Sequence, residues 1–195
     1  MSWMNLSVEL EPHIRKGDIV YCINQVTNAI KSLPDSPFHQ IIDLHFTNKP
    51  KKVAKYFKKF IKQENRRFQI KAIYTETNGF DINPDRWFFD LFAFDSYGGH
   101  EDYDWLSGWK SGDYPSMTLT GMEKLQQVYA SDSFYNNEYD DASKYCSFLV
   151  VLRFQQLIRG SVALLKQIDF PILATSHDYD FIYEYNPNSE QDHAR

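Results

Sequence analysis

The sequence predicts an α+β fold, a single domain over residues 1–195 with a mainly antiparallel sheet and helices packed on it. Three observations predict it. Apolar residues recur with a helical period in some segments and alternate with a period of two in others. The strand-like segments fall largely in adjacent pairs, giving an order of roughly αβαββααββ, whereas a doubly wound parallel sheet alternates single strands with single helices. The composition, 43% hydrophobic and 16% aromatic in 195 residues, is enough for one core of ordinary size and excludes a disordered chain.

The elements follow in order. From Ile19, the positions Cys22, Ile23, Val26, Ile30 and Leu33 keep helical spacing, and Pro34 with Pro37 ends the run. Gln40 to Phe46 alternates, with Ile42, Leu44 and Phe46 on one side and Asp43 and His45 on the other, which predicts a strand. Asn48 as N-cap and Pro50 in the first turn open a helix to about Arg66, with Val53, Phe57, Phe60 and Ile61 inward. Phe68 to Glu76 and Arg86 to Asp95 are rich in aromatic and β-branched residues. The turn-prone stretch Asn78 to Pro84 lies between them, so they are expected to pair antiparallel.

Both faces of the second of these strands are mostly apolar, which makes it a covered, central strand with Phe88 and Phe92 in the core. Asp95 to Met117 breaks all periodicity and mixes four glycines with Tyr97, Tyr103, Trp105, Trp109 and Tyr114, marking a long loop of a kind often functional. Helical character resumes from Thr118 to Tyr129, with Thr120 and Glu123 spaced as a capping box. A long helix from about Asp141 to Ile168 follows. Phe154 and Leu157 are on its core arc, and Gln155, Arg159 and Lys166 lie opposite. Phe170 to Ser176 and Phe181 to Tyr185 read as two strands joined around His177 and Asp178. The tail 186–195 is polar and expected to fray.

The first ten residues lack a basic region followed by an apolar one, and the longest apolar run, Phe148 to Leu152, is far short of the ~20 residues that span a membrane. A soluble, cytoplasmic protein is expected. Cys22 and Cys146 lie on apolar helical stripes and read as buried packing thiols.

No phosphate-loop, dinucleotide-binding, paired-cysteine, zinc-protease or serine-hydrolase motif is present, and no cofactor is called for. Catalytic residues are therefore not assigned. One enzyme reading stays open: His100-Glu101-Asp102-Tyr103-Asp104 is echoed by His177-Asp178-Tyr179-Asp180, and if the segments converge, His100, Asp102, Asp104, His177 and Asp178 offer ligands for a hydrolytic metal. The simpler reading is that these residue types gather in turns. His45 beside Asp43 is weak ground for acid–base chemistry.

Charge is unevenly spread over a chain of formal net charge -5. Residues 49–67 carry nine basic side chains against Glu64 alone. Within them Lys51, Lys55, Lys58 and Lys62 form a ridge able to grip phosphates, but a solvated or intramolecularly paired outer face is the simpler reading and no nucleic-acid motif accompanies it, so nucleic acid is not the expected partner. Residues 76–141 carry 14 acidic against 3 basic side chains, with the aromatic loop in their middle. Aromatic contact area beside steering carboxylates suits a surface that engages a cationic protein. The partner-binding candidates are Tyr97, Glu101, Asp102, Tyr103, Asp104, Trp105, Trp109 and Asp113. The alternative is that Trp105 and Trp109 plug the edge of the core beneath a folded loop.

At Trp87-Phe88-Phe89-Asp90, Asp104-Trp105-Leu106 and Leu119 to Gln126, within residues 38–185, the chain resembles small acidic bacterial immunity proteins of polymorphic toxin systems. That resemblance implies a cytoplasmic, non-enzymatic binder whose partner is a toxin domain. It transfers no active-site residue.

Overall fold

The protein is described by a computed structural model covering residues 2–166 and 168–187. Its first element lies outside the segments whose periodicity predicts a helix. Helix α1, Trp3–Arg15, buries Leu6, Leu10 and Ile14, spaced four apart, and the Ser2 hydroxyl caps it by accepting from the Asn5 amide. Gly17, at φ 81°, ends α1 in the left-handed conformation that glycine adopts without strain. Its N–H donates to Ile14 and that of Asp18 to His13, a Schellman turn leading directly into α2, Ile19–Lys31.

The strand expected at Gln40 to Phe46 is instead a 3₁₀ helix, Pro37–Asp43. Phe38 and Ile41, three apart, are its buried residues, and that spacing rather than the alternation decides the conformation. The His39 imidazole turns back to the Ser36 amide and hydroxyl, 3.2 and 2.9 Å away, while Asp43 and His45 are both exposed. Helix α3, Pro50–Glu64, has its inner stripe as expected. Asn48 does not cap it, however; its side chain bridges to the Thr118 carbonyl and the Thr120 amide.

Strands β1, Ala72–Thr77, and β2, Phe88–Phe94, pair antiparallel from Ala72↔Phe94 to Thr77↔Phe89. The two-residue strand β3, Met117–Thr118, flanks β2. Helix α4, Glu123–Tyr129, begins later than the sequence indicates, since Thr118 belongs to β3. The Glu123 carboxylate accepts from the Gly121 amide, and Thr120 pairs with Thr47 rather than capping. Helix α5, Asp140–Val162, stops well before Ile168. Strands β4, Ile172–Ser176, and β5, Tyr183–Tyr185, complete a sheet of order β3-β2-β1-β4-β5, mixed because β1 and β4 run parallel. Of the tail, residues 188–195 lie outside the described residues.

One contiguous core joins α1, α2, α3 and α5 to one face of the sheet. On that face Ile73, Phe89, Leu91, Ala93, Ile172 and Ala174 are buried, and Phe89 meets Phe154 of α5 at 5.4 Å. Phe154 and Leu157 are core residues as expected, but Phe88 and Phe92 are half-buried on the opposite face. Where both faces of a strand are apolar, alternation separates the faces without saying which one faces the helices. Gln155 is a further correction: it is fully buried, and its amide donates to the Ala174 and Phe181 carbonyls at 3.1 and 2.8 Å, tying α5 to β4 and to the β4–β5 connection. Both cysteines are buried and free, and burial pushes each thiol up to about 12. No helix among the described residues is long and apolar enough to cross a membrane.

Candidate functional site: an acidic aromatic face

The far side of the sheet bears Phe88, Asp90 and Phe92 of β2 and Tyr74 and Glu76 of β1, all half-buried. Its cover is the segment 95–116, which leaves β2 at Phe94, folds across one end of the face and returns alongside the strand. The return is fixed by the Lys110 and Ser111 amides donating to the Ala93 carbonyl, and by the Ser111 hydroxyl accepting from the Ala93 amide.

Trp105 fastens this segment. It is half-buried, edge-on to Phe94 at 4.8 Å and to Tyr97 at 5.5 Å, and its indole N–H donates to the Gly99 carbonyl at 3.0 Å. A Cβ at position 98 would lie 2.4 Å from Trp105 Cδ1, so only glycine lets the chain pass this close to the ring. The Asp102 carboxylate accepts from the Asp104 amide and begins a short 3₁₀ turn, Asp104–Gly108. The Tyr97 hydroxyl donates to both oxygens of Glu184, at 2.8 and 2.9 Å. Burial first, then that hydrogen bond, raises its ionisation well above the ordinary phenol value. Tyr103 is half-buried, and desolvation likewise raises it.

Trp109 differs from Trp105. It is 52% exposed and rests on Phe92 through one edge contact at 5.6 Å. Glu101, Asp102, Asp104 and Asp113 are exposed on the same segment. The eight candidates thus divide into Tyr97, Tyr103 and Trp105, which hold the segment down although Tyr97 is itself exposed, and Trp109 with the four carboxylates, which face solvent. Tyr74, Glu76, Phe88, Asp90 and Phe92 on this face are not among the sequence candidates; for the β2 residues the signal is the doubly apolar run Trp87 to Phe94, whose Phe88 and Phe92 read from sequence as core.

The two His/Asp clusters meet only in part. His100, Glu101, Asp178 and Asp180 line one cleft of about 770 Å³ beside Arg15 of α1, without Asp102 or Asp104. His177 lies 3.5 Å from Glu76 and 3.7 Å from Asp178, and Asp178 occupies the tip of a tight turn at φ 66°. Among the described residues no three His, Cys, Asp or Glu side chains are grouped to hold a metal ion. The turn reading accounts for these residues.

Compared with protein-family models, curated proteins and solved structures, the chain matches none.

Proposed function

We propose that the protein is a non-enzymatic binding factor, an immunity or inhibitor protein of a bacterial toxin system, acting in the cytoplasm by covering a basic toxin domain with its acidic aromatic face. The observation that carries this reading is Trp109, 52% exposed on a segment whose carboxylates at 101, 102, 104 and 113 all face solvent. Exposed indoles beside a half-buried aromatic floor are the usual anchors of protein interfaces, and surrounding carboxylates speed the approach of a cationic partner. The resemblance to immunity proteins supports the same reading.

The test uses the product of the gene immediately upstream as the probe. Trp109→Ala weakens its binding about 30-fold or more, mainly through faster dissociation, as for an interface hot spot of about 2 kcal/mol. Asp102→Asn with Asp104→Asn mainly slows association and flattens its salt dependence. Binding that survives Trp109→Ala unchanged, or no binding by the wild type, removes the reading.

A further inference from the structure

A second surface, of opposite charge, lies on the other side of Tyr114. Between α3 and the segment 114–120 runs a groove of about 830 Å³. One wall is a face of α3 carrying Lys52, Lys55 and Lys59, with Lys49 at the helix entrance. The floor is aromatic: Tyr56 and Tyr114 lie 5.1 Å apart, the Tyr56 hydroxyl donates to the Pro115 carbonyl, and Tyr114 packs on Phe60. These lysines are not the ridge that the sequence picks out, since only Lys55 is shared.

Three features define what fits. Lys49, Lys52, Lys55 and Lys59 are exposed, and among the described residues none has a carboxylate within 4.0 Å, so their charge is uncompensated. Lys52, Lys55 and Lys59 recur at three and four residues, which on a rise of 1.5 Å per residue sets the ammonium groups about 5 Å apart along the helix. A single phosphate calls for converging donors; a line of cations matches a line of phosphates. On the opposite wall, moreover, several of the carbonyls that a peptide strand would pair with are already taken, that of Pro115 by the Tyr56 hydroxyl among them. The Thr118 carbonyl is taken by Asn48, its hydroxyl accepts from Arg86, and the Thr120 amide and carbonyl are bound to Asn48 and Thr47.

From this juxtaposition of an uncompensated lysine row and an aromatic floor we infer that the groove binds a short single-stranded oligonucleotide, phosphates on the lysines and bases against the tyrosines.

The experiment is fluorescence anisotropy of the full chain with labelled dT and rU octamers, against a duplex of equal length, linear polyphosphate and polyglutamate. With three to four phosphates neutralised, affinity for the octamers falls roughly 20- to 50-fold between 50 and 200 mM salt. The triple variant Lys52→Glu, Lys55→Glu, Lys59→Glu loses more than tenfold in affinity and most of this salt dependence. The triple Lys51→Glu, Lys58→Glu, Lys62→Glu has the same charge change outside the groove, stays within threefold and controls for folding. Tyr114→Leu weakens the octamers and leaves polyphosphate unchanged. A preference for rU over dT identifies RNA as the source of the strand, and the reverse identifies DNA. No octamer binding at 50 mM salt, equal losses in the two triple variants, or binding of polyphosphate, polyglutamate or duplex as tight as that of the octamers overturns the inference.

Discussion

Trp105→Ala and Trp109→Ala, four residues apart on one segment, are expected to act on different properties. Trp105 loses two edge-on ring contacts, each worth about 0.5–1.5 kcal/mol, and a hydrogen bond to Gly99 worth about 1 kcal/mol. Re-exposing roughly 100 Å² of apolar surface overlaps with these and caps the total at about 3–4 kcal/mol. For a chain of this length that lowers Tm by roughly 10 °C. Trp109, with one ring contact and half its surface already in water, contributes about 1 kcal/mol to stability. Both ends of the segment are independently tied, through Tyr97 to Glu184 and through Ser111 to Ala93, so part of the Trp105 loss appears as local opening. Thermal unfolding of the two variants, with hydrogen exchange at the Asp104 and Leu106 amides, measures both effects. The fastening role of Trp105 is refuted if Trp109→Ala destabilises as much, or if exchange across 97–108 is unchanged in Trp105→Ala.

Two other expectations concern the core. Gln155→Met keeps the volume and removes two donated hydrogen bonds, but Ala174 stays paired with Tyr183 across β4 and β5, Phe181 retains the Thr175 hydroxyl, and a buried amide oxygen without a partner among the described residues is removed as well; urea denaturation is expected to show a loss of about 1 kcal/mol. The thiols of Cys22 and Cys146, each raised to about 12 by burial, stay protonated in the fold after the unfolded chain has begun to ionise them near pH 8.5–9. Their contribution to stability is therefore complete below that value and is lost as pH rises toward about 12, so Cys22→Ala with Cys146→Ala flattens the alkaline slope of a denaturation series. In the native protein at pH 8 neither thiol reacts with a water-soluble disulfide reagent until denaturant is added.

What could be read ahead of the structure was local. Helices α2 and α3 and the β1–β2 hairpin follow from periodicity and turn residues that act within a few positions. The Schellman turn at Gly17 is of the same kind, and Leu6, Leu10 and Ile14 keep a period of four, but only three apolar positions carry the α1 stripe, too few to stand out from a polar N-terminal stretch. Residues 40–46 show the reverse error, an alternation overridden by the burial of Phe38 and Ile41. Gln155 resembles an outer-face residue until β4 and the β4–β5 connection each place a carbonyl above it, which is a tertiary fact. At the candidate site, composition marked the segment 95–117 correctly as irregular, aromatic and acidic. Which tryptophan lies down and which stands out depends on the 3₁₀ turn Asp104–Gly108 and on Gly98 passing against the Trp105 ring, and neither leaves a periodic trace.

The parallel pairing of β1 with β4 has a consequence for synthesis. Thr77 and Ser176, whose hydroxyls meet at the end of that pairing, are 99 residues apart in the chain. The β1–β2 and β4–β5 pairs close locally, but the seam between them waits for nearly the whole polypeptide, the slow kind of contact in a fold. At about 5–20 residues per second a ribosome needs roughly 5–20 s to span that interval. Throughout it the inner edge of β1, Ile73 to Thr77, stands unpaired beside a half-built core, a ready template for the same strand of a neighbouring nascent copy. The centre of the finished sheet is thus the last part to be sealed, and a chain cut short before Ile172 is left with its most adhesive edge uncovered.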